Sequence, residues 1–289
     1  MTYELAIGDR LFSSWSLRGW LLFNKFGIPV SVKHGRMYSD AFPALLEDFQ
    51  PSRTVPAAKL NGNIVWDSLA MAEMLYEIHP DAAMWPGDIA ARGIARSVTA
   101  EMHSGFTALR SACSMDLRRH YPDFEANEDV MKDVARIERL WSLCREHATD
   151  GEWLFGDYSI ADVFYAPVAM RFATYGLAQS DFAKAYVESH LKDKTFRRWR
   201  AMGFAENFQQ TVYDLDLVVA PWPGPTPWAA KPVDGADSIN DKCPYSGDVI
   251  THVLELDGKR WGFCNAFCRD KTVADAEAWT DFVDMVNQG

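Results

Sequence analysis

Residues 53–70 read Arg53-Thr54-Val55-Pro56-Ala57-Ala58-Lys59-Leu60-Asn61-Gly62-Asn63-Ile64-Val65-Trp66-Asp67-Ser68-Leu69-Ala70. Two short apolar runs, Ala57 to Leu60 and Ile64 to Trp66, flank Asn61-Gly62-Asn63, a strong signal for a tight β-hairpin. Val55-Pro56 stands just before the first run, where a proline normally interrupts strand pairing. A cis peptide there would present the Val55 N–H and C=O to an extended peptide ligand, in a strand-like antiparallel contact. An ordinary trans proline at a strand start is the alternative for Val-Pro taken alone. Ser68 reads as the N-cap of a helix that runs to about His79 and is stopped by Pro80. The free N–H groups at that helix start are a ready site for a carboxylate.

Working outward, Tyr3 to Ile7 reads as a strand and Ser16 to Phe26 as a helix, with Leu17, Trp20, Leu21 and Leu22 at helical spacing and a stop at Gly27. Ile28 to Val32 reads as a second strand, and Ala41 to Asp48 as a weaker helix. The order βαβαββα describes a small mixed sheet with helices on its faces. From Asp88 the pattern changes to helix after helix. Ile94, Val98, Met102, Phe106, Leu109 and Cys113 repeat every three to four residues, as do Val130, Val134, Ile137, Trp141 and Cys144. Cys113 and Cys144 therefore read as small buried hydrophobes. Ala220 to Pro232 is so rich in proline that it reads as an extended, semi-stiff linker. Beyond it, two short strands around Asp257-Gly258 and a helical tail from about Val273 form a pattern of their own.

The chain of 289 residues suits two domains and perhaps a small third, and its 48% hydrophobic content excludes wholesale disorder. A net charge of −11 argues against nucleic acid as a partner, since a phosphate backbone needs a basic face. Met1 to Ile7 lacks a signal-peptide pattern and no apolar run is long enough to span a bilayer, so the expected location is the cytoplasm with no membrane partner. Five cysteines, an odd number, do not suggest a disulfide framework in such a compartment.

Phe12-Ser13-Ser14-Trp15-Ser16-Leu17-Arg18 marks the turn from first strand to first helix. A hydroxyl there can donate to a sulfur anion, and the helix dipole favours the same anion. A free thiol of pKa about 8.5 is roughly 3% thiolate at neutral pH, and a drop of roughly 2 units gives a gain near 25-fold. Any one of the three serines can instead be a simple helix cap.

Together these residues resemble the cytosolic glutathione transferases over about residues 1–215. The motifs that carry the likeness are Ser14 to Arg18, Pro51 to Ala57, Trp66 to Ala70, Trp85 to Asp88, and Phe155-Gly156-Asp157-Tyr158-Ser159-Ile160-Ala161-Asp162. In the last, Ser159 and Asp162 also read as an S-x-x-D helix cap, with Tyr158 and Val163 as a hydrophobic staple. The resemblance implies a thioredoxin-like α/β domain over residues 1–80 and an all-α domain over 88–215. It implies glutathione as cosubstrate, a small electrophile as second substrate, and a homodimer. The serine run is most similar to the serine-type members, including the zeta class that holds maleylacetoacetate isomerases, although Trp15 stands where the zeta signature has Cys. By that likeness Ser14 is the catalytic hydroxyl, with Ser13 and Ser16 as alternates. Arg53, Val55, Pro56, Asp67 and Ser68 would bind glutathione. Thr54 stands where many relatives carry Lys or Gln, so Arg53 is the substitute for the glycine carboxylate. A non-catalytic binding or metal-sensing protein on the same fold is the alternative function, and a glutathione-dependent isomerase a further one.

Cys243, Cys264 and Cys268 give the spacing C-x20-C-x3-C, in which the last two sulfurs lie one turn apart. Three thiolates suit a soft or borderline ion such as zinc or copper(I), and His252, Asp270 or water is an equal candidate for a fourth ligand. This stretch is similar to the TRASH and YHS metal-binding modules. The expected organisation is completed by a proline-rich linker over 216–236 and a small α+β metal-binding-like module over 237–289.

Overall fold

A computed structural model describes residues 3–235 and 237–288 of the chain. Tyr3–Ile7 forms strand β1, with Leu5, Ala6 and Ile7 wholly buried. Helix α1, Ser14–Asn24, buries Leu17, Trp20, Leu21 and Phe23. It passes close to Pro56 at Gly19, where an added Cβ would stand 2.5 Å from Pro56 Cβ, so a side chain there would push α1 away. Strand β2 (Ser31–His34), helix α2 (Phe42–Glu47), strands β3 (Ala57–Leu60) and β4 (Asn63–Val65), and helix α3 (Ser68–Ile78) follow. The sheet order is β2-β1-β3-β4, parallel between β1 and β2 and antiparallel elsewhere. This is the βαβαββα order read from the sequence. Strand β2 begins at Ser31 rather than Ile28, because Pro29 has no N–H to give the ladder. Asn61 and Gly62 close the hairpin with positive φ of 51° and 88°, the geometry of a two-residue turn.

The helical part comprises α4 (Ile89–Ser104), α5 (Thr107–Ala112), α6 (Glu128–Arg145), α7 (Ile160–Tyr175), α8 (Asp181–Lys192) and α9 (Lys194–Ala205). Every residue of α7 is buried, which explains a sequence without a continuous polar face. The start of α7 is held by Asp162, itself fully buried. Its carboxylate accepts from Ser159 N at 2.8 Å, Leu154 N at 3.0 Å and Tyr186 Oη at 2.9 Å. Cys113 and Cys144 lie in the core, and burial pushes both thiols up to about 12.

Contacts divide the chain into two compact units. One takes the chain up to Leu191 together with Thr211–Pro223; the other takes Lys192–Gln210 and the chain from Gly224 onward. The second unit thus includes α9, although the sequence pattern assigns that helix to segment 88–215. Ala201 and Met202 of α9 pack with Leu254, Trp261 and Phe282, and Arg197 forms a bidentate pair with Asp275 at 2.7 and 2.8 Å. Fifty residues alone bury little apolar surface, and an amphipathic helix supplies more.

Within this unit β5 (Lys231–Val233), β6 (His252–Leu256) and β7 (Lys259–Phe263) form an antiparallel sheet, followed by α10 (Ala266–Ala274) and α11 (Thr280–Gln288). Two expectations are corrected here. Pro232 is in regular structure, because β5 is an edge strand, where a missing N–H can be tolerated. The helical tail begins at Ala266 rather than Val273, capped by the Asn265 side chain on Cys268 N at 2.8 Å.

Candidate active site and cysteine cluster

A cleft of about 690 Å3 in the first unit is lined by Ser13, Trp15, Arg53, Val55, Pro56 and Asp67, with Tyr38 and Phe42 on its apolar wall. Five residues singled out from the sequence, Ser13, Arg53, Val55, Pro56 and Asp67, thus meet in one place. The Val55–Pro56 peptide is cis. Neither the N–H nor the C=O of Val55 has a hydrogen-bond partner among the described residues. A half-buried backbone pair of this kind is a docking edge for an extended peptide.

The three serines take three positions. Ser13 caps α1, accepting from Ser16 N at 3.2 Å, and its hydroxyl reaches Ser16 Oγ at 2.7 Å. Ser16 is fully buried and accepts from Gly8 N at 2.9 Å. Ser14 is half-buried on a separate cavity, where Arg171 Nη2 approaches its Oγ at 3.5 Å.

At the far end of the cleft the expected cap is corrected: Asp67, not Ser68, caps α3. Its Oδ1 accepts from Leu69 N at 2.9 Å and Ala70 N at 3.4 Å. The backbone at Asp67 is extended, which aims its carboxylate back over the helix start. Ser68 is the first helical residue, buried, with its hydroxyl unpartnered. The N–H groups read as a site for a ligand's carboxylate therefore already hold one. Asp67 Oδ2, on a half-exposed side chain, lies 2.7 Å from His103 Nε2 of α4.

In the second unit the sulfurs of Cys243, Cys264 and Cys268 all lie within 4.8 Å of one another, with Cys264 and Cys268 at 3.8 Å. Tetrahedral zinc with Zn–S bonds of about 2.3 Å sets its sulfurs roughly 3.8 Å apart, so the donor set fits such an ion. Ser246 Oγ and Asn265 Nδ2 each donate to Cys264 Sγ at 3.3 Å. Burial works to raise the Cys243 thiol, but the backbone N–H groups of Cys264, Tyr245 and Ser246 outweigh it and hold the thiol low. Among the described residues no His, Asp or Glu joins the cluster. His252 Nδ1 meets Thr251 Oγ1 at 2.8 Å, and Asp270 pairs with Arg269 at 2.7 Å.

Residues 12–78 match the family model described as glutathione S-transferase, N-terminal domain. A structure of a glutathione transferase homolog from Burkholderia gl BGR1, with bound glutathione, superposes with a TM-score of 0.53 at 21% identity. It covers 71% of this chain and 99% of that one. The fold is that of the glutathione transferases. Among curated relatives, a probable maleylacetoacetate isomerase of Caenorhabditis elegans is 25% identical over 171 residues, covering 58% of this chain and 78% of the relative. The maleylacetoacetate isomerase of Rattus norvegicus is 27% identical over 159 residues, covering 53% and 70%.

Within this glutathione transferase fold, three site features escaped the sequence reading. His103 reaches Asp67 from a helix some 36 positions away and stacks edge-on against Trp15 at 5.4 Å, and no local pattern announces it. Tyr213 lies flat on Phe12 at 5.3 Å, and its hydroxyl meets that of Tyr38 at 2.9 Å. Arg110 and Arg171 come from α5 and α7, and only packing brings them beside Ser14. No helix among the described residues is long and apolar enough to cross a membrane.

Proposed function

We propose that the chain binds glutathione in the larger cleft, ionises its thiol and directs the thiolate at a small electrophile. The observation that carries this reading is one cleft lined by both Val55, with its unpaired backbone N–H and C=O, and the Ser13 hydroxyl. The cysteinyl N–H and C=O of an extended tripeptide pair with Val55 as a short antiparallel strand. The ammonium of the γ-glutamyl end pairs with Asp67, and Arg53 is the cleft's cation for the glycine carboxylate.

Ser13, which lines the same cleft as Val55, is the hydroxyl assigned to the sulfur in this reading. Ser13 Oγ donates to Ser16 Oγ at 2.7 Å, and in this reading that proton turns to the thiolate once glutathione is seated, leaving Ser16 Oγ to accept from Gly8 N. The thiol proton leaves to solvent. Sulfur then forms its bond to carbon as the leaving group departs with the electron pair.

The test is retention on immobilised glutathione, followed by titration of the bound thiol through its ultraviolet thiolate absorbance. Ser13→Ala is expected to raise that pKa by roughly 1–2 units, and Ser14→Ala to leave it in place. A thiol that responds to Ser14→Ala and not to Ser13→Ala transfers the role to Ser14. No retention at all overturns the reading in favour of a different ligand.

Glutathione-dependent isomerisation is the second reading, favoured by the maleylacetoacetate isomerases among the relatives. There the thiolate adds to a carbon–carbon double bond, the resulting single bond rotates, and the thiolate leaves again. Glutathione consumed per product formed separates the two: one equivalent for transfer, none for isomerisation.

For the second unit we infer a thiolate metal site at Cys243, Cys264 and Cys268, with zinc the ion that suits the sulfur spacing. Its role in this reading is structural. Three protein thiolates leave the fourth position to water, and closing them around an ion cross-links the loop before β6 to the start of α10.

A further inference from the structure

Lys271 lies on α10, three residues beyond Cys268, so the two side chains share a face of that helix. It is 8% exposed. Its ammonium stands 3.8 Å from the ring centroid of Tyr245 and 3.9 Å from that of Trp279, and the two rings lie 5.5 Å apart. Among the described residues this ammonium has no hydrogen-bond partner and no carboxylate within ion-pair distance. Arg197 of α9, also largely buried in this unit, has Asp275 at 2.7 Å.

The rings that hold Lys271 are themselves tied to the cysteine segments. Tyr245 is two residues from Cys243, and its hydroxyl meets Thr272 Oγ1 at 2.6 Å. Thr272 Oγ1 donates in turn to Cys268 O at 2.8 Å. Trp279 donates its indole N–H to Lys271 O at 3.2 Å. These bonds fix the ammonium relative to the sulfurs.

A buried ammonium without a counter-charge is costly, and two aromatic faces offset only part of that cost. Burial lowers the Lys271 ammonium; the groups that raise it are the three thiols, Cys268 foremost, and then the exposed Asp281. Three thiolates around a divalent ion carry one net negative charge. The hydrogen bonds that Ser246 and Asn265 donate to Cys264 Sγ spread that charge without removing it. One fixed cation removes it.

We propose that Lys271 is the counter-charge of the three-cysteine metal centre, held between Tyr245 and Trp279 so that the loaded site is neutral as a whole. The inference rests on the metal-site reading above and deepens it by naming a residue outside the ligand set that determines how tightly the ion is held. Lys271 acts through the charge on the sulfurs and is not itself a ligand.

The test measures zinc affinity and thermal stability of the full chain under reducing conditions. Competition against a chromophoric chelator gives the zinc Kd. Lys271→Met keeps an apolar stem between the two rings and removes the charge, and its Kd is expected to rise roughly 10- to 100-fold. The melting transition of the second unit separates charge from packing. In zinc-loaded protein Lys271→Met should lower it. In metal-free protein the same change should leave it in place or raise it, since an unpaired buried ammonium is gone. Lys271→Arg, whose guanidinium also stacks on aromatic rings, should bind zinc more tightly than Lys271→Met.

An unchanged zinc Kd in Lys271→Met overturns the proposal and leaves the metal site standing. So does a loss of melting temperature of equal size with and without zinc, which makes Lys271 a packing residue. Zinc binding by Lys271→Arg no tighter than by Lys271→Met overturns it as well. A wild-type chain that binds no zinc overturns the metal-site reading itself, and the counter-charge with it.

Discussion

Ser13, Ser14 and Ser16 fall within four consecutive positions, yet each meets a different environment. One turn of helix rotates side chains by about 100° per residue, so neighbouring hydroxyls leave α1 in different directions. Ser13 points to the cleft, Ser14 to the arginine-lined cavity, and Ser16 into the core against Gly8 N. Ser16→Ala removes the acceptor of a buried N–H and the partner of Ser13 together. Stability should fall by about 1–2 kcal/mol, and the bound thiol pKa should fall, since Ser16 Oγ no longer competes for the Ser13 proton. Chemical denaturation and the same ultraviolet titration measure the two effects. An unmoved thiol pKa would reduce Ser16 to a packing residue. The sequence supplied the three candidates and the family resemblance put Ser14 first, whereas the environment each one meets depends on what distant elements place opposite.

At the scale of elements, the caps show how local chemistry is modified by packing. Asp67 takes the start of α3 and Ser68 moves into the first turn, a shift of one position that sequence patterns do not resolve. The Ser159–Asp162 pair was legible as an S-x-x-D cap, whereas the bond from Tyr186 of α8 to the same carboxylate was not. Close by, His190 of α8 is buried among Trp153, Tyr158 and Tyr186, with its Nε2 unpartnered. Burial, with Lys25 adding, lowers it to about 3. The native state therefore refuses a proton that the unfolded chain accepts below about pH 6.5. Its contribution to stability is whole above that pH and is lost as pH falls toward 3, by up to about 1.4 kcal/mol per unit. His190→Phe should flatten the dependence of the urea midpoint on pH between neutrality and mild acid. An unchanged slope would show that other groups carry the acid sensitivity.

For the whole molecule, the division into two units bears on the cysteines. The second unit is small, and its core gathers around Trp261, Phe263, Trp279 and Phe282. A metal that binds only the folded form adds stability by mass action, about 2.7 kcal/mol at a hundredfold excess over its Kd. Purified protein should carry one zinc per chain. A strong chelator should lower the melting transition of the second unit and leave the first unit's core, far larger in apolar content, near its original midpoint. Cys268→Ser should reproduce the chelator effect and abolish the response to added zinc. Metal-free protein with a chelator-insensitive melt would leave the cluster as three reduced thiols. The same scale explains why α9 falls in the second unit although its pattern continues that of segment 88–215. The apolar stripe of α9 reads the same whichever neighbour buries it, and Arg197 finds Asp275 across 78 positions.

The stretch 53–70 and its flanks determined the βαβαββα order and the hairpin, and the C-x20-C-x3-C spacing far along the chain marked the cysteine triad, while Val55–Pro56 could be read as cis or trans. Those features follow from periodicity, turn chemistry and residue type, which act over a few positions along the chain. The tertiary structure alone decided that the Val55–Pro56 peptide is cis, which serine faces which cavity, that His103 engages Asp67, that α9 belongs with the cysteine unit, and that two arginines share one tryptophan. Each of these depends on side chains from elements far apart in sequence, and the period of one helix carries no information about the face of another.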